Sequence, residues 1–140
     1  MGSATSHTTQ EQGIRNPKQV VPTYSGIVAP HALTVRWIYD VPAGRQAVVE
    51  LLTCITQRAT VASAAVLADN YIKLTTAAGA NILLVEAGIN SVTVGVRVAH
   101  VVGTALTLYE RDRLTGYTSD GSPDGTVAFI VGAKITEFDA

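Results

Sequence analysis

Thr34–Arg58 reads TVRWIYDVPAGRQAVVELLTCITQR, and its alternation decides the fold class. Val35, Trp37, Tyr39 and Val41 recur at every second position with Arg36 and Asp40 opposite, the period of a strand covered on one face. Pro42, Ala43 and Gly44 interrupt it. Proline fixes φ and lacks a donor, and glycine accepts positive φ, so the spacing predicts a chain reversal and a hairpin. The second arm restarts at Gln46 and is apolar on both faces. Ala47, Val49, Leu51 and Ile55 lie on one; Val48, Leu52 and Cys54 lie on the other. An antiparallel strand with one wet face alternates cleanly. This arm is therefore expected to be covered twice, by a facing sheet and by a second body such as a loop, a helix or another subunit. Val48, Leu52 and Cys54 are the expected partner-binding face.

Upstream, residues 1–32 differ in composition from the rest. Met1–Gly13 is rich in Ser, Thr, Gln and Gly without periodicity, as in segments that stay disordered alone. After it come spaced apolar residues, Ile14, Val20, Val21, Tyr24, Ile27 and Val28, broken by Pro17, Pro22 and Pro30. They read as an extended strap whose side chains act as pegs on its own surface or a neighbour's. The expected organisation is an extended or partly disordered arm over 1–32 and a β-sandwich domain over 33–140.

Downstream, Ala59–Asp69 is alanine-rich, with Val61, Ala65 and Ala68 at helical spacing, and reads as a short helix or an irregular crossover. Tyr71–Thr75 and Ile82–Glu86 read as strands. Val92, Val94, Val96 and Val98 alternate with Thr93, Gly95, Arg97 and Ala99, the cleanest period-2 signal in the chain. Gly103 marks a break before Leu106 and Leu108, and Glu110, Arg111 and Asp112 form a charged corner. Leu114–Thr118 is a strand, Ser119–Gly125 (SDGSPDG) a strong turn, and Thr126–Phe138 a long final strand. About eight short strands without helical crossovers predict an all-β, antiparallel, jelly-roll-like sandwich. Its edge strands need a cap, from the arm or from another protomer.

The composition excludes several functions. The chain has 140 residues, enough for one domain with a core. Apolar residues make up 47% and charged ones 15%, against a usual share of roughly 25% charged, as expected of a surface partly buried in an assembly. A net charge of −1 with scattered Lys and Arg argues against nucleic acid. No apolar run approaches the roughly 18 residues of a membrane span, and no signal peptide is visible. The opening MGSATS fits only a permissive myristoylation pattern.

The residues that could carry chemistry are dispersed. Cys54, the single cysteine, reads as a structural thiol in the most apolar strand. His7, His31 and His100 lack the paired spacing of a metal-binding jelly roll such as a cupin. Asp120, Ser122, Asp124 and Gly125 begin like a calcium loop, but the twelfth position is Val131, so a hairpin turn is the expectation. No G-x-S-x-G is present, and Glu110, Arg111, Asp112 and Arg113 read as a solvated corner. Gly116, Gly121 and Gly125 open no helix, so no phosphate cradle is expected. Trp37 shares the inward register, which favours core packing over a sugar platform. No catalytic, metal-binding or cofactor-binding residue is assigned, and the chain is not expected to be an enzyme.

Three stretches taken together resemble a known group. They are a strand running into V-P-A-G-R (Val41–Arg45), L-T-G-Y-T-S-D (Leu114–Asp120) after a charged turn, and the closing T-V-A-F-I-V-G-A-K-I-T-E-F. Their order over Thr34–Phe138 is similar to small β-sandwich structural proteins of tailed bacteriophages, the head decoration (cement) and tail-accessory group. The resemblance implies a non-enzymatic virion component, assembled in the bacterial cytoplasm, that forms homo-oligomers, often trimers. Its partners would be the major capsid protein or another virion protein, with no nucleic acid and no membrane. The alternative is a tail, neck or fibre accessory binding a receptor or glycan, with Tyr109, Tyr117 and the Ser119–Asp124 loop as candidates.

Overall fold

The computed structural model describes residues 15–140; Ile14 and His7 lie outside them. The described residues form nine strands and no helix: β1 (Lys18–Val20), β2 (Thr23–Val28), β3 (His31–Asp40), β4 (Arg45–Arg58), β5 (Ala68–Thr75), β6 (Asn81–Glu86), β7 (Arg97–Leu108), β8 (Arg113–Asp120) and β9 (Val127–Asp139). Ala59–Leu67 is an irregular crossover. All strand pairs are antiparallel: β2 with β9, β3 with β8, β4 with β7, β5 with β6. The chain is thus doubled on itself as one long ribbon. Pairing of β4 with β9 and β5 with β8 rolls that ribbon into two sheets. Sheet I has the order β2-β9-β4-β7, with β1 prolonging the β2 side along β9; sheet II is β3-β8-β5-β6. This is a jelly-roll sandwich.

The expected hairpin is corrected. β3 belongs to sheet II and β4 to sheet I, so Pro42–Gly44 carries the chain between sheets. The turn itself is as expected: the Arg45 amide donates to the Pro42 carbonyl at 3.1 Å, and Gly44 has φ +77°. A turn signal fixes reversal of direction, not whether the flanking strands hydrogen-bond to each other. SDGSPDG likewise joins β8 of sheet II to β9 of sheet I, and is not a hairpin.

Two bulges correct the face assignments. In β3 the register with β8 slips between Val35 and Trp37. Val35 therefore faces out, while Trp37, Tyr39 and Val41 face in. The indole lies against Gly116, where a Cβ would come within 2.5 Å of the ring, and its Nε1 donates across the sandwich to the Val131 carbonyl at 3.0 Å. In β4 the register slips between Val49 and Leu51. The inward set is Ala47, Val49, Leu52 and Cys54, continuing to Thr56 and Arg58; Val48, Leu51, Thr53 and Ile55 face out. What reads as two apolar faces is one apolar face whose phase a bulge inverts. The expected partner-binding set breaks up accordingly: Leu52 and Cys54 are core, and only Val48 lies on the outer face.

The separate arm is corrected too. β1 and β2 pair with β9, and β3 already starts at His31, so residues 18–32 belong to the sandwich. Val20, Tyr24 and Val28 pack inward against the cores, while Val21 and Ile27 face out. The reason is β9, a 13-residue strand whose second edge needs partners. The clean alternation over Val92–Ala99 is also misleading. Its first half is a turn with Gly95 at φ +89°, pinned by the Gly95 amide to the Arg58 carbonyl at 2.8 Å, and β7 begins only at Arg97. Nor is Gly103 a break, since β7 runs through it.

Polar side chains tie the sheets together through the core. Asn70 Nδ2 donates to the Ile55 and Ile130 carbonyls at 3.0 and 2.8 Å. Tyr39 donates to Glu137 Oε2 at 2.7 Å, and Glu137 also meets Arg45 Nε at 3.3 Å. Such bonds contribute about 1 kcal/mol each, but losing one partner leaves a buried group unsatisfied at greater cost.

Candidate interaction surfaces

The residues weighed for chemistry are occupied structurally. Among the described residues no group of three or more His, Cys, Asp or Glu could hold a metal. Burial pushes the Cys54 thiol up to about 12, which suppresses the nucleophilic thiolate. In the Asp-rich loop, Asp120 Oδ1 accepts from the Ser122 amide at 3.0 Å, and Asp124 accepts from the Ser63 amide. Asp120 Oδ2 faces the Arg58 guanidinium at 3.8 Å, both groups fully buried, so the cation this carboxylate needs is an arginine. In the expected solvated corner Glu110, Arg111 and Arg113 are exposed, but Asp112 is part of the framework. Asp112 is buried and accepts from the Ala77 amide at 3.0 Å and the Tyr109 amide at 2.9 Å, tying two turns together.

The outer face of sheet I is the first candidate surface. Register places three rows side by side on it: Ile27, Ala128, Gln57; Ser25, Ile130, Ile55, Ala99; Thr23, Gly132, Thr53, Val101. Arg97 bounds the face at one end and the Lys134–Glu50 pair, at 3.7 Å, at the other; no charged residue stands between. Ile27 is 69% exposed and Val101 57%. A shallow apolar groove of about 230 Å³ runs beside Val21, Leu51 and Ile130. β4 contributes Leu51, Thr53, Ile55 and Gln57 to this face, and nothing else in the described chain covers it. Exposed Ile82, Leu83 and Val102 lie apart, on the neighbouring edge strands β6 and β7.

The outer face of sheet II is chemically different. A groove of about 460 Å³ is lined by Val35 and Ile38 of β3, Lys73 and Thr75 of β5, and Arg113, Thr115 and Tyr117 of β8. Arg113 forms two bonds to Asp40, at 2.7 and 3.1 Å. The Tyr117 ring stacks on Tyr71 at 4.8 Å and 15°, and the Lys73 ammonium sits 5.2 Å from its centroid. Tyr109 and the Ser119–Asp124 loop, named with Tyr117 as one candidate site, lie beyond opposite ends of β8 and do not converge with it. Arg111 and Arg113 read in sequence as a charged corner; that Lys73 joins them in one groove could not be read, because it comes from β5.

Beside β6, an acidic pair gives the protein a pH dependence. A hydrogen bond with Asp69, then burial and the Asp69 charge, push Glu86 up to about 7. The folded chain therefore holds an extra proton between the ordinary glutamate range and about 7, and stability falls as pH rises through that window. Glu86→Gln is expected to raise stability at pH 8 and flatten this slope, read by urea unfolding at pH 5 and pH 8.

No protein-family model matches the chain, and no curated protein does. Among solved structures it is similar to a chain of infectious bursal disease virus Gt strain, with 10% identity and a TM-score of 0.46 over 90% of this chain and 34% of that one. The infectious bursal disease virus VP2 subviral particle is similar at 12% identity and a TM-score of 0.38, over 90% and 34%. Eiger TNF from S. frugiperda is similar at 13% identity and a TM-score of 0.46, over 87% and 92%. The chain spans about a third of the length of the viral chains it matches. Function has to be read from the chain's own surfaces.

Proposed function

We propose that this chain is a non-enzymatic structural protein of a virus particle, and within that class a head decoration protein of a tailed bacteriophage that assembles with copies of itself and binds the capsid lattice. The observation that carries the reading is the outer face of sheet I, uncharged between Arg97 and Lys134 and with Ile27, Ile55, Ile130 and Val101 on it among small polar residues. Burial returns roughly 25 cal/mol per Å² of apolar surface. Repeated across a lattice, modest contacts add through avidity. The apolar β6–β7 edge is a different patch from the sheet I face. Two unlike patches that meet head to tail close into a ring where the rotation between copies closes, and a trimer is the ring that the bacteriophage resemblance implies. The major capsid protein, or another virion protein, is the second partner.

The test adds purified protein to capsids that lack it. Saturable binding and a higher temperature of shell disruption are expected. Shells that take up none at micromolar excess would overturn the decoration reading. Antibody labelling on the tail or neck would reassign the chain to the accessory class. Because β1 and β2 are part of sheet I, an arm truncation for this assay should remove only residues 1–14.

A further inference from the structure

We infer that the groove on sheet II is a binding site for an anionic saccharide, one bearing a carboxylate or a phosphate. Its charge is the first argument. The chain carries a net −1, yet the groove gathers Lys73, Arg111 and Arg113 against Asp40 alone. Asp40 is committed to Arg113 by the two-bond pair. That leaves Lys73 and Arg111 as the cations facing the groove, beyond the exposed 3.7 Å contact of Arg111 with Glu110. An anion in this trough complements that surplus.

The backbone of Arg111 is the second argument. Its φ is +69°, a left-handed conformation that glycine adopts without penalty and arginine does not. Its amide donates to the Val41 carbonyl at 3.0 Å, which locks the corner in that shape. Keeping arginine at a position shaped for glycine gains the fold nothing visible. It places a guanidinium at the groove's end.

The remaining lining suits a sugar better than a bare ion. Tyr117 is a rigid aromatic wall, because Tyr71 stacks against it and both tyrosines are held in register on adjacent strands. Thr75 adds a hydroxyl that can accept, its proton going to Asn81 Oδ1 at 2.9 Å, while Val35 and Ile38 supply an apolar side for C–H edges. A volume of about 460 Å³ lies in the range of small-ligand clefts. A free phosphate would use the cations and leave the aromatic and apolar walls unused.

The test is calorimetric titration of the full chain with trigalacturonate, with a phosphorylated trisaccharide of similar size, and with neutral maltotriose. Saturable binding of one or both anionic probes, weakening with salt and exceeding maltotriose by at least about tenfold, is expected. The stronger probe identifies the acid group. Lys73→Met and Arg111→Gly are each expected to weaken that binding about tenfold, the loss of one charge-assisted contact. Arg111→Gly should also hold or raise the melting temperature, since it relieves the left-handed strain. Absence of binding to both anionic probes, equal binding of maltotriose, or full affinity in both variants would overturn the inference. These readouts use the isolated protein, so failure to bind capsids does not affect them.

Discussion

Ile130→Lys is expected to leave a folded monomer by abolishing the self-association proposed for sheet I. Ile130 lies at the centre of the outer face of sheet I, with Ile55 opposite it on β4 and Ser25 on β2. Its side chain is 38% exposed, so a lysine there reaches water in the monomer at little cost. In an assembly that covers the face, the same ammonium loses its hydration, and none of the neighbouring rows of the face supplies a carboxylate. Charges taken out of water unpaired cost several kcal/mol. Self-association should therefore weaken by at least about a hundredfold, or roughly 2.7 kcal/mol. The fold should survive, because Asn70 holds Ile130 through its backbone carbonyl and that bond does not involve the side chain. Sedimentation velocity over a concentration series gives the association, and a thermal melt checks the fold. A wild-type chain that stays monomeric at high concentration would remove the basis for reading this face as an interface.

Asp120→Ala is expected to cost about 3–5 kcal/mol of stability, the penalty for leaving a buried charge without its partner. Arg58 and Asp120 are both fully buried, where the crossover after β4 meets the loop after β8. The guanidinium donates to the Ser91 carbonyl at 3.1 Å and to Ser122 Oγ at 2.9 Å. Both acceptors are neutral, and Asp120 supplies the charge. At 3.8 Å that contact is an ion pair and not a direct hydrogen bond. A domain of ordinary stability holds only about 5–15 kcal/mol, so one substitution would consume a large share. The double variant Arg58→Met with Asp120→Leu should be clearly less destabilised than Asp120→Ala alone, because it removes both charges. Urea unfolding at pH 7 measures all three proteins. A single-variant loss below about 1 kcal/mol would mean that the guanidinium finds water or another acceptor on opening.

Much of the architecture is legible in the chain. Alternation, short apolar runs and the Pro/Gly/Asp turns specify strands without helices, and Ile72, Leu74, Val127, Phe129, Val131 and Ile135 fall inward as their spacing requires. The misplaced faces share one cause. Period-2 patterns carry phase, and a single extra residue inverts it; that is why Val35 turns out and Leu52 and Cys54 turn in. Val92–Val96 alternates without being a strand, because Gly95 permits a turn and Arg58's backbone pins it.

Sequence alone determined that this protein is an antiparallel β-sandwich and that it reverses at Pro42–Gly44 and Ser119–Gly125. These follow from local properties: rotamer and φ preferences, spacing and composition. Tertiary structure alone decided which strands pair, which side of each bulge faces water, and how Arg58 finds Asp120 or Lys73 comes to share a groove with Arg111 and Asp40. Those relations join residues far apart in the chain, and hydrogen-bond pairing between strands is set by the closing of the whole roll, where every inner edge must find a partner at once.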